Sequence, residues 1–290
     1  MDIALALGGG GARGYAHIGV LRCLENEGIR VKAIAGTSAG GIIGVLYAAG
    51  YTPDEMEKRF TKMDQTKLFG RTSKDGPGLL GLSGAEKILD ELLGDRTFGD
   101  LKIPCGVVAV DLQNGQEVVL NQGRVVDAIM ASIAVPGIFP PKKYKNTQLV
   151  DGAVLNPVPV TLARSLAPYL PIVAVVLDFS TRSNDGFPSL PISVPTPIVE
   201  RITKTRVAQA FGIFLKSVDI GSRNLAKTRL LSDKPDVIIA PDVGGIGILD
   251  KVDVAAIIRI GMRATEHVLP ELKKVFSMTN QIRRIVFQHR

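Results

Sequence analysis

From residue 33 to residue 53 the chain carries no charged side chain. A run of that length approaches the ~20 residues a membrane-spanning helix needs, so it narrows the choice to a span, a buried helix or a buried site. Its glycines decide among them. Gly36, Gly40, Gly41, Gly44 and Gly50 all fall within it, beside Thr37 and Ser38, and leave little hydrophobic drive for insertion. The parse that remains is a strand over 31–36, a sharp turn, and a buried helix over 40–49, after which Pro53-Asp54-Glu55 opens another helix. The turn reads Gly36-Thr37-Ser38-Ala39-Gly40, a G-x-S-x-G pattern. A serine at such a strand-to-helix turn is strained, with its hydroxyl projecting, and small neighbours at 36 and 40 let strand and helix pack closely. The helix N-terminus then brings N–H groups and positive potential to any developing negative charge.

The order of elements around this turn points to a fold class. Residues 3–7 form a short strand that runs into a glycine loop, and 16–26 has helical periodicity, with Gly28 as its stop. Strand, loop, helix, strand, turn, helix is the order of a parallel sheet covered by helices. Polar residues over 71–78 mark a loop, and 84–93 is a helix. Residues 105–112 and 116–120 flank an Asn114-Gly115 turn and read as a β-hairpin. A helix over 125–132 ends before Pro136, a strand covers 147–153, and the apolar run 171–179 suits a central parallel strand. After a Ser- and Pro-rich loop over 181–199 come helices near 200–227 and 251–278, with a strand over 237–243 between them. The expected architecture is one domain over 1–275 with a mostly parallel sheet, followed by a basic tail over 276–290.

Composition limits the partners. The formal net charge is +7, which favours an anionic surface, while the absence of tryptophan and an aromatic content of 5% leave little for base stacking. Anionic lipid is therefore expected rather than nucleic acid. Basic and apolar residues alternate in 201–217 and 281–290, so each segment suits either a membrane surface or a packed interface, and homo-oligomers are left open. Cys23 and Cys105 sit in apolar surroundings and read as core residues of a chain kept in a reducing compartment. The opening MDIALALGGGG has an acidic second residue and no basic segment, so it reads as a strand rather than a secretion signal. The expectation is a cytoplasmic protein with peripheral contact at the inner membrane face.

Two further motifs accompany the serine turn. Gly9, Gly11 and Gly14 of GGGGARG (8–14) match G-x-G-x-x-G, but a dinucleotide site also wants an acid at the end of the next strand, and that strand ends in AIAGTS. A phosphate-binding P-loop would need Gly-Lys-Ser/Thr, which is missing here. The remaining use is an oxyanion hole made of consecutive glycine N–H groups. Asp151-Gly152-Ala153 follows the 147–150 strand. Alone it is a turn signal; beside a buried helix its carboxylate would be desolvated and become a stronger base.

Together GGGARG (9–14), GTSAG (36–40) and DGA (151–153) resemble the patatin-like phospholipase family. ASIAVPGIFPP (131–141), Asn156-Pro157, the Val110-Asp111-Leu112 hairpin and the strand and helix near 237–275 are similar as well, so the likeness covers roughly 1–275. The resemblance implies a three-layer α/β/α patatin-like fold and a Ser–Asp dyad without histidine. Ser38 would be the nucleophile and Asp151 its base, with Gly10 and Gly11 as oxyanion donors. Gly9, Ala12, Arg13 and Gly14 complete the glycine-loop motif, Gly36 and Gly40 the elbow, and Gly152 and Ala153 the dyad turn. Arg13 would either steady the loop or meet a phosphate. The implied reaction is hydrolysis of phospholipid, lysophospholipid or another acyl-ester lipid through an acyl-enzyme, with no metal and no cofactor. The chain has DGA where many relatives have DGG.

The rival readings are an α/β-hydrolase-type Ser–Asp–His esterase or acyltransferase using His267, and a catalytically silent lipid-binding module. His267 follows Asp151 in the required order but sits in an ordinary helical pattern. His17 reads as a surface or supporting residue, and His289 as part of the tail. Asp111 reads as a turn cap, and Ser132 has no obvious base. Ile133, Val135, Ile138 and Phe139 suit either an acyl pocket or plain core, and the 183–199 loop either a gate or a connection.

Overall fold

The computed structural model describes residues 1–73, 76–177 and 206–276, and within it the first strand already sorts the core into two layers. Along β1 (Asp2–Leu7), Ile3, Leu5 and Leu7 face one way and Ala4 and Ala6 the other, all fully buried. The large side chains join a cluster with α1 (Ala16–Asn26), α2 (Ala39–Ala48), α3 (Pro53–Lys62), α4 (Ser83–Leu93), α5 (Val125–Ser132) and α8 (Val254–Val275). The alanine face, continued by Ala33 and Ala35 of β2 (Arg30–Thr37), packs on α6 (Val160–Leu166) and on Ala226 and Leu230 of α7 (Arg206–Asp233). Small residues on that side let the helices approach the sheet closely. The result is the expected three-layer α/β/α fold.

The sheet has eight strands in the order β5-β6-β3-β2-β1-β7-β8, with β4 paired to β3. Strands β3 (Cys105–Asp111), β2, β1, β7 (Ile172–Val175) and β8 (Val237–Ile239) run parallel, while β4 (Gln116–Leu120), β6 (Thr147–Asp151) and β5 (Lys142–Tyr144) are antiparallel additions at one side. The predicted hairpin, turn and helix over 125–132 fall where the sequence puts them. Strand β7 and strand β8 are shorter than the apolar runs that encode them, because those runs continue past the last ladder pairs. Strand β5 goes unread in the sequence: its turn into β6 has Lys145 at φ 51 instead of a glycine, and so lacks the usual hairpin signal. The 181–199 loop, residues 200–205 of the expected helix and residues 277–290 of the tail lie outside the described residues.

One register positions everything that follows. Strand β2 pairs with the first part of β3, where Thr37 lies opposite Val108; β6 pairs with the second part, where Asp151 lies opposite Ala109. Strand β4 occupies β3 from Val107 to Asp111, overlapping both, so β2 and β6 must share the other edge. They run toward each other along that edge and end against successive residues of β3. Residues 114 apart in sequence arrive side by side because two strands of opposite sense stop at the same place.

Candidate active site

Strand β2 ends in a backbone that serine seldom adopts. Ser38 has φ 53 and ψ −122, a left-handed conformation that costs on the order of 1–3 kcal/mol and persists only when its surroundings enforce it. The neighbours do so. A side-chain carbon at Gly36 would fall 2.5 Å from the carbonyl oxygen of Gly40, and one at Gly40 would collide with the carbonyls of Leu7 and Gly8. The Ser38 N–H donates to Ser132 Oγ at 2.9 Å, and Thr37 Oγ1 donates to the Asn156 carbonyl at 2.9 Å. The Ser38 hydroxyl thus stands at the N-terminus of the ten-residue α2, where the helix dipole favours negative charge.

Asp151, by contrast, has an ordinary extended backbone, and its environment makes it unusual. It is 2% exposed, and burial pushes its carboxyl up to about 6 against the opposing pull of hydrogen bonds from the Ser38 hydroxyl and the Ala153 N–H. The Ala153 N–H donates to Oδ1 at 2.8 Å, and the Asp151 N–H donates to the Ala134 carbonyl at 2.9 Å. Gly152 turns the chain where a side chain would strike the Val108 carbonyl. The Ser38 hydroxyl and the Asp151 carboxyl line the same cavity.

The glycine loop closes the third side. Gly8 and Gly9 spend their N–H groups on the carbonyls of Val175 and Pro157, at 2.9 and 3.0 Å. Gly10 and Gly11, the expected oxyanion donors, have no N–H acceptor among the described residues. Gly9 packs on Ser38: a side-chain carbon there would lie 3.3 Å from Ser38 Cβ and 3.6 Å from Ala153 Cβ. Gly14 faces Ala39 so closely that an added carbon would stand 2.5 Å from the alanine Cβ. The Ala12 N–H donates to the Ile248 carbonyl at 2.9 Å. Arg13, buried, donates from Nε to the Ile246 carbonyl at 2.7 Å and from Nη2 to Asp219 Oδ1 at 3.1 Å. Of its two expected roles, these contacts match steadying the loop.

Ser38, Asp151 and Gly9–Ala12 open into one cavity of about 660 Å³. Its other charged lining residues are Asp219, Asp250 and Lys251; the rest of the wall is largely apolar, including Ile42, Phe60, Phe69 and Leu225. Ile133, Val135 and Phe139 line it as the sequence allows, whereas Ile138 turns fully into the core. Phe139 stacks on Phe69 with ring centroids 5.8 Å apart. Residues of α3, α7 and 248–251 complete the wall, and nothing in their local sequence marks them for it.

The remaining candidates separate cleanly. His17 is fully buried rather than on the surface, hydrogen-bonds through Nε2 to the Gly8 carbonyl at 2.8 Å, and is held neutral with its pKa pushed down to about 4 by burial. Since a carbonyl only accepts, Nε2 carries the proton and the ring braces the start of the loop. His267 is exposed on α8, outside the cavity wall, and His289 lies outside the described residues. Asp111 caps its turn, accepting from the Gln113 N–H at 2.8 Å and from Thr147 Oγ1 at 2.6 Å. Burial pushes the Cys23 thiol up to about 11 and Cys105 up to about 12, so both are inert core residues. Ser132 is the contact that sequence reasoning missed. Its one signal is a lone hydroxyl at the end of the apolar helix α5. Among the described residues no three His, Cys, Asp or Glu side chains gather as metal ligands, and no helix is long and apolar enough to cross a membrane.

Comparison with known proteins bears on the family and the fold. The patatin-like phospholipase family profile matches residues 5–164, more than half of the 290 residues. An NTE family protein of Mycobacterium tuberculosis is 40% identical over 161 residues, which are 54% of this chain and 44% of that protein. Another from the same organism is 27% identical over 275 residues, covering 92% of this chain and 46% of that protein. The chain therefore spans less than half the length of these relatives. Among solved structures, VipD from Legionella pneumophila shares the fold with a TM-score of 0.55 at 12% identity, over 92% of this chain and 66% of that one. The chain belongs to the patatin-like phospholipase family.

Proposed function

We propose that this protein is a serine lipid acyl hydrolase in which Ser38 and Asp151 act as a dyad. Family membership supports a lipid ester as substrate, and the apolar cavity of about 660 Å³ beside Ser38 suits an acyl chain. Asp151, ionised, takes the proton as Ser38 Oγ attacks the ester carbonyl. The oxygen that becomes negative is received by the Gly10 and Gly11 N–H groups, aided by the N-terminus of α2. Asp151 returns the proton to the departing alcohol, leaving an acyl-serine. Water then attacks the acyl carbon and loses its proton to Asp151, which passes it to Ser38 Oγ as the acyl–oxygen bond breaks and the carboxylic acid leaves. An alcohol in place of that water would give acyl transfer instead. The scheme calls on no metal and no cofactor.

The single observation that carries this reading is the convergence on one apolar cavity of a hydroxyl on a left-handed turn and a buried carboxyl raised to about 6, beside two glycine N–H groups with no acceptor among the described residues. Contact with an anionic membrane fits the same scheme: Ile213 and Ile220 are exposed on the cavity-lining helix α7, and Lys216 and Lys227 are exposed on the same helix. The test is fatty-acid release from lysophospholipid, phospholipid and p-nitrophenyl acyl esters. Turnover should vanish in both Ser38→Ala and Asp151→Ala; wild-type turnover in both removes the proposal.

A further inference from the structure

Ser38 and Asp151 come from different strands, yet one short segment holds both. At its start, Ser132 is fully buried and outside the cavity wall. Its hydroxyl accepts the Ser38 N–H at 2.9 Å and donates to the Val108 carbonyl at 2.7 Å. Two residues on, the Ala134 carbonyl accepts the Asp151 N–H at 2.9 Å. Val108 and its neighbour Ala109 are the residues of β3 against which β2 and β6 end. Between and after these bonds, Ile133 and Val135 turn into the cavity. We propose that Ser132 is a positioning residue: with Ala134 it forms a strut from β3 that sets the separation of the Ser38 hydroxyl from the Asp151 carboxylate and ties that separation to the cavity wall.

The chemistry of the position is narrow. The group must accept one hydrogen bond and donate another in a fully buried position, which a hydroxyl does and a methyl does not. A left-handed serine is not held by its own backbone preference, so loss of the bond to its N–H frees it to relax toward an ordinary turn. Alanine at 132 strands the Ser38 N–H and frees the elbow to shift; a shift on the scale of 1 Å at a reacting atom costs about 100-fold in rate.

The inference rests on the hydrolase reading above, and the experiment separates the two. Ser132→Ala and Ser132→Cys are compared with wild type in p-nitrophenyl ester turnover per fluorophosphonate-titrated site, and in amide hydrogen exchange of the peptides covering 36–40 and 2–7. For Ser132→Ala we expect kcat per titrated site to fall about 10- to 100-fold with KM within about twofold. Exchange at 36–40 should rise about tenfold or more, with 2–7 unchanged. Ser132→Cys, of similar size and weaker hydrogen bonding, should fall between, and it carries the test if the alanine variant does not fold. Turnover per site within about twofold of wild type, with unchanged exchange at 36–40, overturns the strut. A loss of titratable sites alone, with normal turnover in those remaining, overturns it too, because that is the mark of general destabilisation. A wild-type protein that neither turns over ester nor binds the fluorophosphonate refutes the hydrolase reading, and the exchange result still decides on the strut.

Discussion

The ends of β2 and β6 reach the same two residues of β3 by opposite means. Strand β2 delivers Ser38 through a strained backbone, with φ 53, held by glycines at 36 and 40 that admit no side chain. Strand β6 delivers Asp151 on a relaxed backbone, with φ −51 and ψ 133, and leaves the work to burial, which lifts the carboxyl to about 6. In the proposed dyad, conformation makes the nucleophile and environment makes the base. The difference has a consequence for stability. A strained turn is destabilising at every pH, whereas a buried carboxyl destabilises only when ionised.

Four substitutions sharpen or break this contrast. The largest effect is expected from Ser38→Ala, which removes the attacking atom: turnover should drop by at least about 10³-fold and fluorophosphonate labelling should vanish, with the fold intact by circular dichroism. Persistent labelling would point to another nucleophile.

Asp151→Asn comes next, with activity down about 10²- to 10⁴-fold and stability moving the other way. The carboxyl is raised in the folded state, so its protonated form stabilises the fold at low pH, and this contribution is lost as pH rises through about 6. The variant should therefore gain on the order of 2–3 kcal/mol over wild type at pH 8 and nothing below about pH 4, read by denaturant unfolding. The wild-type kcat/KM should rise with pH through about 6 to a plateau, since the base works ionised. A flat profile from pH 5 to pH 8 would mean that the carboxylate does not titrate where its burial puts it.

Gly40→Ala tests the other strand. The added methyl meets the Leu7 and Gly8 carbonyls, and overpacking of this kind typically costs about 1–3 kcal/mol, seen as a Tm lowered by about 2–5 °C together with lost activity. An unchanged Tm would show that the elbow tolerates a side chain and is not locked by close packing. The smallest effect is expected from His267→Ala, whose parent side chain is exposed on α8: kcat and KM should both stay within about twofold. A loss of 100-fold or more would restore the histidine triad that the geometry speaks against.

Much of this was legible before any coordinates, for local reasons. The elbow, the glycine loop and the Asp-Gly turn are each written in consecutive residues, because backbone conformations that exclude a Cβ leave glycines in fixed places. Helix starts were equally readable: Thr52 and Glu55 form a reciprocal capping box around Pro53, and α3 begins there. The misses have a common cause. Strand β5 turns on a lysine, the local sequence leaves Ile138 open between core and cavity, and Ser132 makes its contact with Ser38, 94 residues earlier. Of the two readings of His17, surface or supporting, the choice rests on a carbonyl that sequence does not put beside it.

The sequence by itself determined the class of fold, the strained serine turn and the glycine loop, since short-range sterics and hydrophobic periodicity suffice for these; Asp151 stood out only through the resemblance to the family. Only the tertiary structure decided that β2 and β6 share one edge of β3, that the carboxyl is buried, and that α3, α7 and residues 248–251 wall the cavity. Strand register and desolvation are sums over contacts between distant segments, and no local stretch of chain contains them.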